Sequence, residues 1–500
     1  MWRPSAREAP YFRVRRVAGE IVADGSPQGH AGHLDRMSGD SDPFAAWSWD
    51  GSRLEVWNDR YGFQPLFYWH SPAGDLALST SLHKLLELGA PPELDTEALA
   101  AFFRLNFFLG EDTAFRQIRL LPPNAQMSWQ DGKLSVSGSG RIVREQAITR
   151  DAGIDGYIEL FRTAIARRPP SGLFAVPLSG GRDSRHIFLE LVERGWLPDA
   201  AINIRWDPYV QTEDRAIATL LSQAAGVRLV TWDTPGNLIE RERRKNFETS
   251  LCSTEHAWIP SYDDDLGVSF DTLYEGVAGD WLSTSLANTE ERQSWIERGD
   301  VEKLAESMLG SEGYLPKALV PEQYRRMGRE VARERLVREL RPHLEAANPL
   351  GSFMLGNRAR RVTALAPTCL WNRARLIWCP YLDAELYDFL SSIPARVLLS
   401  PAAYHQFHTD AILRGYPRFA HIPFAGKVSK GLRVPRYERR TARDLARVAM
   451  ALGDGSLLRR SYVYSRVLRG VIDPGYGGEM PGIAKFAFYA LQLEACGGKR

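Results

Sequence analysis

From about residue 45 to about residue 130, short apolar runs alternate with turn residues, as in FAAWSWDGSRLEVWNDRYG and PLFYWHSPAGDLALSTS. Asp50-Gly51 and Ala73-Gly74 fall where hairpin turns belong, so this pattern predicts a β-meander within an α+β N-terminal domain. Helical spacing takes over in LDTEALAAFFRLNFFL, with Asp95 or Thr96 as N-cap and Glu97 in the first turn, where its charge complements the helix dipole. Small and polar residues from Ser135 to Gly140 predict a linker, placing a domain boundary near residue 145. Beyond it the period changes. GLFAVPL, AAINIRW and VRLVTW read as strands, and HIFLELVERG and EDRAIATLLSQAAG as the helices between them. Strands alternating with helices predict a parallel sheet covered on both faces. The remainder, from about residue 290, is helical in pattern and carries the Arg-rich stretch RVPRYERRTARDLARVAMAL.

The chain has 500 residues, 44% hydrophobic and 25% charged, with a net charge of +2. That excludes a disordered or collagen-like chain and gives no overall pull toward nucleic acid or anionic membrane. No apolar run approaches the roughly 18 to 20 residues of a membrane span, and the start has no signal-peptide character, so a cytoplasmic protein is expected. Cys252, Cys369, Cys379 and Cys496 lie far apart without a CxxC pair, and read as unpaired thiols.

Leu178-Ser179-Gly180-Gly181-Arg182-Asp183-Ser184 carries the most chemistry, standing directly after a predicted strand and before a helix. Two glycines let backbone N–H groups approach an anion, the hydroxyls of Ser179 and Ser184 add donors, and the helix presents its positive N-terminus. Asp183 repels phosphate unless a cation lies between them, so its natural role is to hold Mg2+. The alternative is a glycine turn that packs helix on strand, with Asp183 complementing the dipole. Neither GxxxxGK[ST] nor a GxGxxG after a strand occurs, which argues against kinase, GTPase and dinucleotide-binding readings.

This segment resembles the SGGxDS pyrophosphate loop of the N-type ATP pyrophosphatases, and further blocks resemble the asparagine synthetase superfamily. Asn58-Asp59-Arg60-Tyr61-Gly62-Phe63-Gln64-Pro65-Leu66-Phe67-Tyr68 is similar to the RDRxGxxPLYY block of its glutaminase half. Thr113, Phe115, Ile118, Leu121, Pro122 and Pro123 match the block closing that domain, and Pro380-Tyr381-Leu382-Asp383 through Leu390-Ser391-Ser392-Ile393-Pro394 resembles PFLD…SLP. The resemblance implies a degenerate Ntn-hydrolase-like α+β domain over residues 1–145. Over residues 146–500 it implies an adenine nucleotide α-hydrolase-like ATP pyrophosphatase domain, an α/β unit with a helical C-terminal region.

The departures fall on residues the family uses for chemistry. Such a glutaminase needs an N-terminal cysteine whose thiolate attacks the glutamine amide, and here Trp2 follows Met1; the NGEIYN-like glutamine-binding stretch is missing too. A domain that hydrolyses no glutamine is expected. Glu275-Gly276-Val277-Ala278-Gly279-Asp280 stands in place of SGEGSDE. There Asp280 joins Asp183 as a Mg2+ ligand, and Gly276 and Gly279 give close backbone approach. Val277 replaces the family glutamate, although a shift of a residue or two brings Glu275 to that place.

Relatives lacking the cysteine include β-lactam synthetases, carbapenam synthetases and the cyclases of lasso peptides, in which the substrate supplies its own amine. A lysine beyond the PYLD block offsets the charge on the leaving phosphate, and Lys427 and Lys430 are the candidates. Adenine recognition is implied at the backbone of Leu178 and near Ile204. Glu213-Asp214 resemble a family acidic pair but also suit a helix's first turn, and His186 reads as packing or solvated. The expectation is an ATP-dependent, AMP-forming amide ligase using Mg2+ on a peptide or specialised metabolite. A lasso-type cyclase would work beside a leader-peptide-binding protein and a protease. Alternatives are an asparagine synthetase fed by ammonia, a catalytically silent scaffold, and tRNA modification, whose only local support is the basic segment from Arg433 to Arg447.

Overall fold

The computed structural model describes residues 9–32, 42–205, 213–233, 238–260, 270–371, 374–400, 403–426, 439–452, 457–472 and 480–496. Its N-terminal part holds β1 (Tyr11–Val17), β2 (Glu20–Gly25), β3 (Gln28–Gly32), β4 (Phe44–Trp49), β5 (Arg53–Asn58), β6 (Phe67–His70), β7 (Leu76–Ser79), β8 (Ile118–Leu120), β9 (Gln126–Gln130) and β10 (Lys133–Ser137). They form two antiparallel five-stranded sheets, ordered β2-β1-β7-β6-β8 and β10-β9-β5-β4-β3. Alternation decides which side chains meet between them: Phe12 and Val14, Leu76 and Leu78 from one sheet join Trp47, Leu54, Val56, Met127 and Trp129 from the other in a single apolar cluster. β5 shows the rule most plainly, with Leu54, Val56 and Asn58 buried and Arg53, Glu55 and Trp57 exposed.

The meander predicted from residue 45 is present, and β1 to β3 extend it toward the N-terminus. The predicted linker needs correction: Ser135, Val136 and Ser137 belong to β10, paired with Ser128, Met127 and Gln126. Helices α1 (Leu82–Glu87) and α2 (Thr96–Leu105) follow β7. Asp95 is the N-cap of α2, accepting from the N–H groups of Glu97 and Ala98, and Asn106 in the left-handed conformation ends it (φ 64°), earlier than the pattern implied.

The chain leaves β10 at Ser137 and enters α3 (Arg150–Ala166), capped by Thr149. Then come β11 (Phe174–Pro177), α4 (Asp183–Glu193), β12 (Ala200–Arg205), α5 (Asp214–Ala225), β13 (Leu229–Asp233), α6 (Leu238–Glu248), β14 (Thr272–Tyr274) and β15 (Leu376–Trp378). The pairings of the sheet in this second part are parallel, in the order β13-β12-β11-β14-β15. From β11 the chain walks outward through β12 to β13, then returns to place β14 on the other side of β11. That reversal is a topological switch point, where open parallel sheets form a crevice beyond the strands' carboxyl ends. Among the described residues no helix is long and apolar enough to cross a membrane.

Several ties join the two parts. Arg104 pairs with Glu312 at 2.8 Å, Arg335 with Asp112 at 2.8 Å and Arg60 with Asp388 at 2.9 Å. Buried Arg168 lies between Asp42 (3.4 Å) and Asp383 (3.2 Å). The helix beginning at Pro349 widens into π-turns over Leu355–Thr363 and again over Ala366–Leu370. From the first of these, buried Arg360 donates to the carbonyls of Gly62 and Leu121, and buried Arg361 to those of Gly110 and Asp112.

Candidate active site

The loop after β11 is shaped by its own short side chains. Leu178 N–H donates to Ile202 O at 2.7 Å, and Asn203 Nδ2 to Leu178 O at 2.9 Å, which ties the end of β11 to its neighbour strand. Ser179 N–H donates to Ser184 Oγ, Gly181 N–H to Ser179 Oγ and Gly180 N–H to Asp214 Oδ1, each at 3.1 Å. A Cβ on Gly180 would stand 2.8 Å from Ala425 Cβ and 2.9 Å from Asp214 Oδ1, so no larger residue fits there without movement. Asp214 is therefore more than a dipole complement, and Glu213 accepts from Gly426 N–H at 3.3 Å. Arg182 donates to Thr409 Oγ1 and Ala425 O, and its guanidinium lies over Phe424.

The loop after β14 closes onto the first. Its approach depends on two glycines, since a Cβ on Gly276 would lie 2.9 Å from Asp183 Cβ and one on Gly279 2.6 Å from Asp183 Cγ. Ala278 turns the chain at φ 73°, a conformation that costs a non-glycine residue about 1 kcal/mol, and leads into the short helix Gly279–Ser283. Asp280 N–H then donates to Asp183 Oδ2 at 3.2 Å. Burial, and next the charge of Asp280, push the Asp183 carboxyl well above the usual carboxylate range. A cation beside both would reverse that shift.

Glu275 directly follows β14. Burial raises its carboxyl to about 7, against the opposing pull of Gly276 N–H (3.3 Å) and the Trp371 indole N–H (3.1 Å). Behind Asp183 sits a buried polar cluster on the helix Gln406–Gly415. His408 Nδ1 is 2.8 Å from Ser283 Oγ and 3.4 Å from Asp183 Oδ1, while its Nε2 is 2.9 Å from Tyr157 OH and 3.2 Å from His186 Nδ1. Burial lowers His408 to about 3 and His186 well below the usual imidazole value, so both are neutral. His186 stacks on Phe161 with ring centres 3.7 Å apart, a buried packing role rather than a solvated one.

These loops enclose a cavity of about 470 Å³ beyond the carboxyl ends of β11, β12 and β14. Leu178, Ser179, Gly181, Asp183, Ser184, Ile204, Glu275, Gly276 and Asp280 line it, so the structure brings together two loops almost 100 residues apart. Gly180 and Gly279 stand behind the lining and permit its close approach. Lys427 and Lys430 lie outside the described residues. Trp258, Trp371, Tyr404, His405 and His408 also line the cavity and carry no motif that a sequence scan detects. Among the described residues no three His, Cys, Asp or Glu side chains converge on a metal position. The Asp183–Asp280 pair suits Mg2+, which takes one or two carboxylates and fills its remaining positions with phosphate and water.

Residues 26–138 match the family model of a glutamine amidotransferase domain. That domain fits the N-terminal part of an asparagine synthetase-like protein and points to an enzyme. The match stops before the parallel sheet. It contains no cysteine, the first being Cys252, whose buried thiol is pushed up by burial. No curated protein matches the chain.

Proposed function

We propose that the chain is an ATP-dependent, AMP-forming amide ligase, which activates a substrate carboxylate and joins it to an amine without hydrolysing glutamine. The observation that carries this reading is the meeting of Asp183 and Asp280 at the switch point, beneath a Ser-Gly-Gly loop and beside an ionisable Glu275. The N–H groups at the start of α4 and the hydroxyls of Ser179 and Ser184 would donate to phosphate oxygens of ATP, with Leu178 and Ile204 on the adenine side. Asp183 and Asp280 would hold Mg2+, which supplies charge neutralisation between the phosphates.

In the first half-reaction a substrate carboxylate oxygen bonds to the α-phosphorus and pyrophosphate leaves. In the second the amine nitrogen bonds to the acyl carbon, the carbon–oxygen bond to AMP breaks, and the amine's proton passes to a base. Glu275, ionising near neutrality on the cavity wall, has the pKa for that task. Gly426, the residue before Lys427 in the sequence, donates its N–H to Glu213. Lys427 or Lys430 would offset charge on the departing phosphate.

ATP–pyrophosphate exchange in Mg2+ with a panel of carboxylates tests the reading, with Asp183→Asn as control. Exchange that requires one acid and falls by at least about 100-fold in the variant is expected. Exchange with free aspartate, followed by amidation from ammonia, would replace it by an ammonia-fed asparagine synthetase. No ATP binding at all would leave a silent scaffold.

A further inference from the structure

Aromatic and apolar side chains make up part of the cavity wall. Trp258, Ile259, Val277, Trp371 and Tyr404 contribute to the lining, and the single polar hydrogen of the Trp371 indole is spent on Glu275. His256, beside Trp258 with ring centres 5.1 Å apart, is held neutral, lowered by burial to about 4. The carboxyls among the described lining residues are those of Asp183, Asp214, Glu275 and Asp280, the imidazoles those of His256, His405 and His408, and the one guanidinium that of Arg182. Arg182 is already engaged by Thr409 Oγ1, Ala425 O and the Phe424 ring.

A free dicarboxylic amino acid brings a second carboxylate that must find a cation or stay paired with water. An unpaired carboxylate in such surroundings pays a heavy desolvation penalty. A carboxyl carried on an apolar or aromatic framework meets the opposite situation, since its framework displaces water from indole and aliphatic surface.

We infer that the acid activated in this cavity bears its reacting carboxyl on an apolar or aromatic framework and has no second free carboxylate. The inference rests on the adenylating activity proposed above. A free acid and one borne on a peptide meet the same wall chemistry.

The test is calorimetric titration of the full chain with three probes: ATP with Mg2+, a phenylpropanoyl sulfamoyl-adenosine and an aspartyl sulfamoyl-adenosine, the last two being unreactive mimics of an acyl–AMP. ATP binding, with the phenylpropanoyl probe at least about tenfold tighter than the aspartyl one, is the expected result. ATP binding with the aspartyl probe equal or tighter overturns this inference and leaves the adenylating reading standing. No binding of any probe overturns both. Trp258→Leu is expected to lose about tenfold of the preference, and a preference unchanged in that variant overturns the assignment of the wall. Exchange assays comparing 3-phenylpropanoate with a C-terminally amidated peptide, its one glutamate beside a phenylalanine, separate a free from a peptide-borne acid.

Discussion

Glu275 holds a proton in the folded chain at pH values where an unfolded glutamate, with its ordinary value of 4.5, has released it. The stability due to that proton is complete below about pH 4.5 and lost as pH rises through about 7. Glu275→Gln is expected to flatten the decline in urea-unfolding stability between about pH 5 and pH 8, and to remove the neutral-pH limb of the rate profile. A slope equal to wild type would remove Glu275 from the account. Asp59, raised by burial to about 6 among four backbone N–H donors, contributes in the same direction and keeps the slope from vanishing. His408 makes a different prediction. Replacing it by Leu leaves Ser283 Oγ, Tyr157 OH and His186 Nδ1 facing an apolar side chain, at an expected cost of about 2–4 kcal/mol in chemical denaturation. A cost within about 0.5 kcal/mol would show that the cluster does not support the core beneath Asp183.

Among the elements, the turn into the helix Gly279–Ser283 is the most sensitive to side-chain size. Gly279→Ala places a methyl group within 3 Å of Asp183 Cγ and Tyr381 Cε2, so the loop must retreat from Asp183. The expected outcome is a stability loss of about 1–3 kcal/mol with ATP–pyrophosphate exchange abolished; near-wild-type exchange would mean the close approach is dispensable. The β11–loop–α4 unit was legible in the sequence because a strand, two glycines and a helix stand in immediate succession. β14 and β15 were not, being three residues each and defined by the strands they lie beside rather than by any pattern of their own. β1 was passed over because Arg13, Arg15 and Arg16 crowd the alternation that buries Phe12 and Val14. Trp258, Trp371 and His408 are single residues on separate segments, and only the fold places them around one cavity.

At the scale of the molecule, the N-terminal sheets are bonded into the parallel-sheet half rather than appended to it. Arg104, Arg335, Arg360 and Arg361 all find acceptors or counter-ions across that junction. A fragment beginning near residue 138 would lack Arg104 and would deprive Arg360 and Arg361 of their carbonyl acceptors and Arg335 of Asp112, and is expected to be insoluble or unfolded by circular dichroism and limited proteolysis. A soluble fragment that still binds ATP would show the junction to be dispensable. The resemblance to a glutaminase half was legible from the segment beginning at Asn58; its structural duty was not, because arginine–carbonyl bonds across hundreds of residues leave no local pattern.

The π-turns between Leu355 and Leu370 span the distance from that junction to the cavity. Adjacent Arg360 and Arg361 reach the N-terminal part, while Thr363, Ala366 and Trp371 line the cavity. Loss of one residue from this stretch would return it toward α pitch and rotate everything downstream by about 100°. Trp371 would swing away from Glu275 with no change at any residue that touches a ligand. The count of residues between the two arginines and the tryptophan is thus itself a geometric requirement of the site, and insertion or deletion there should be read as a change of active-site alignment.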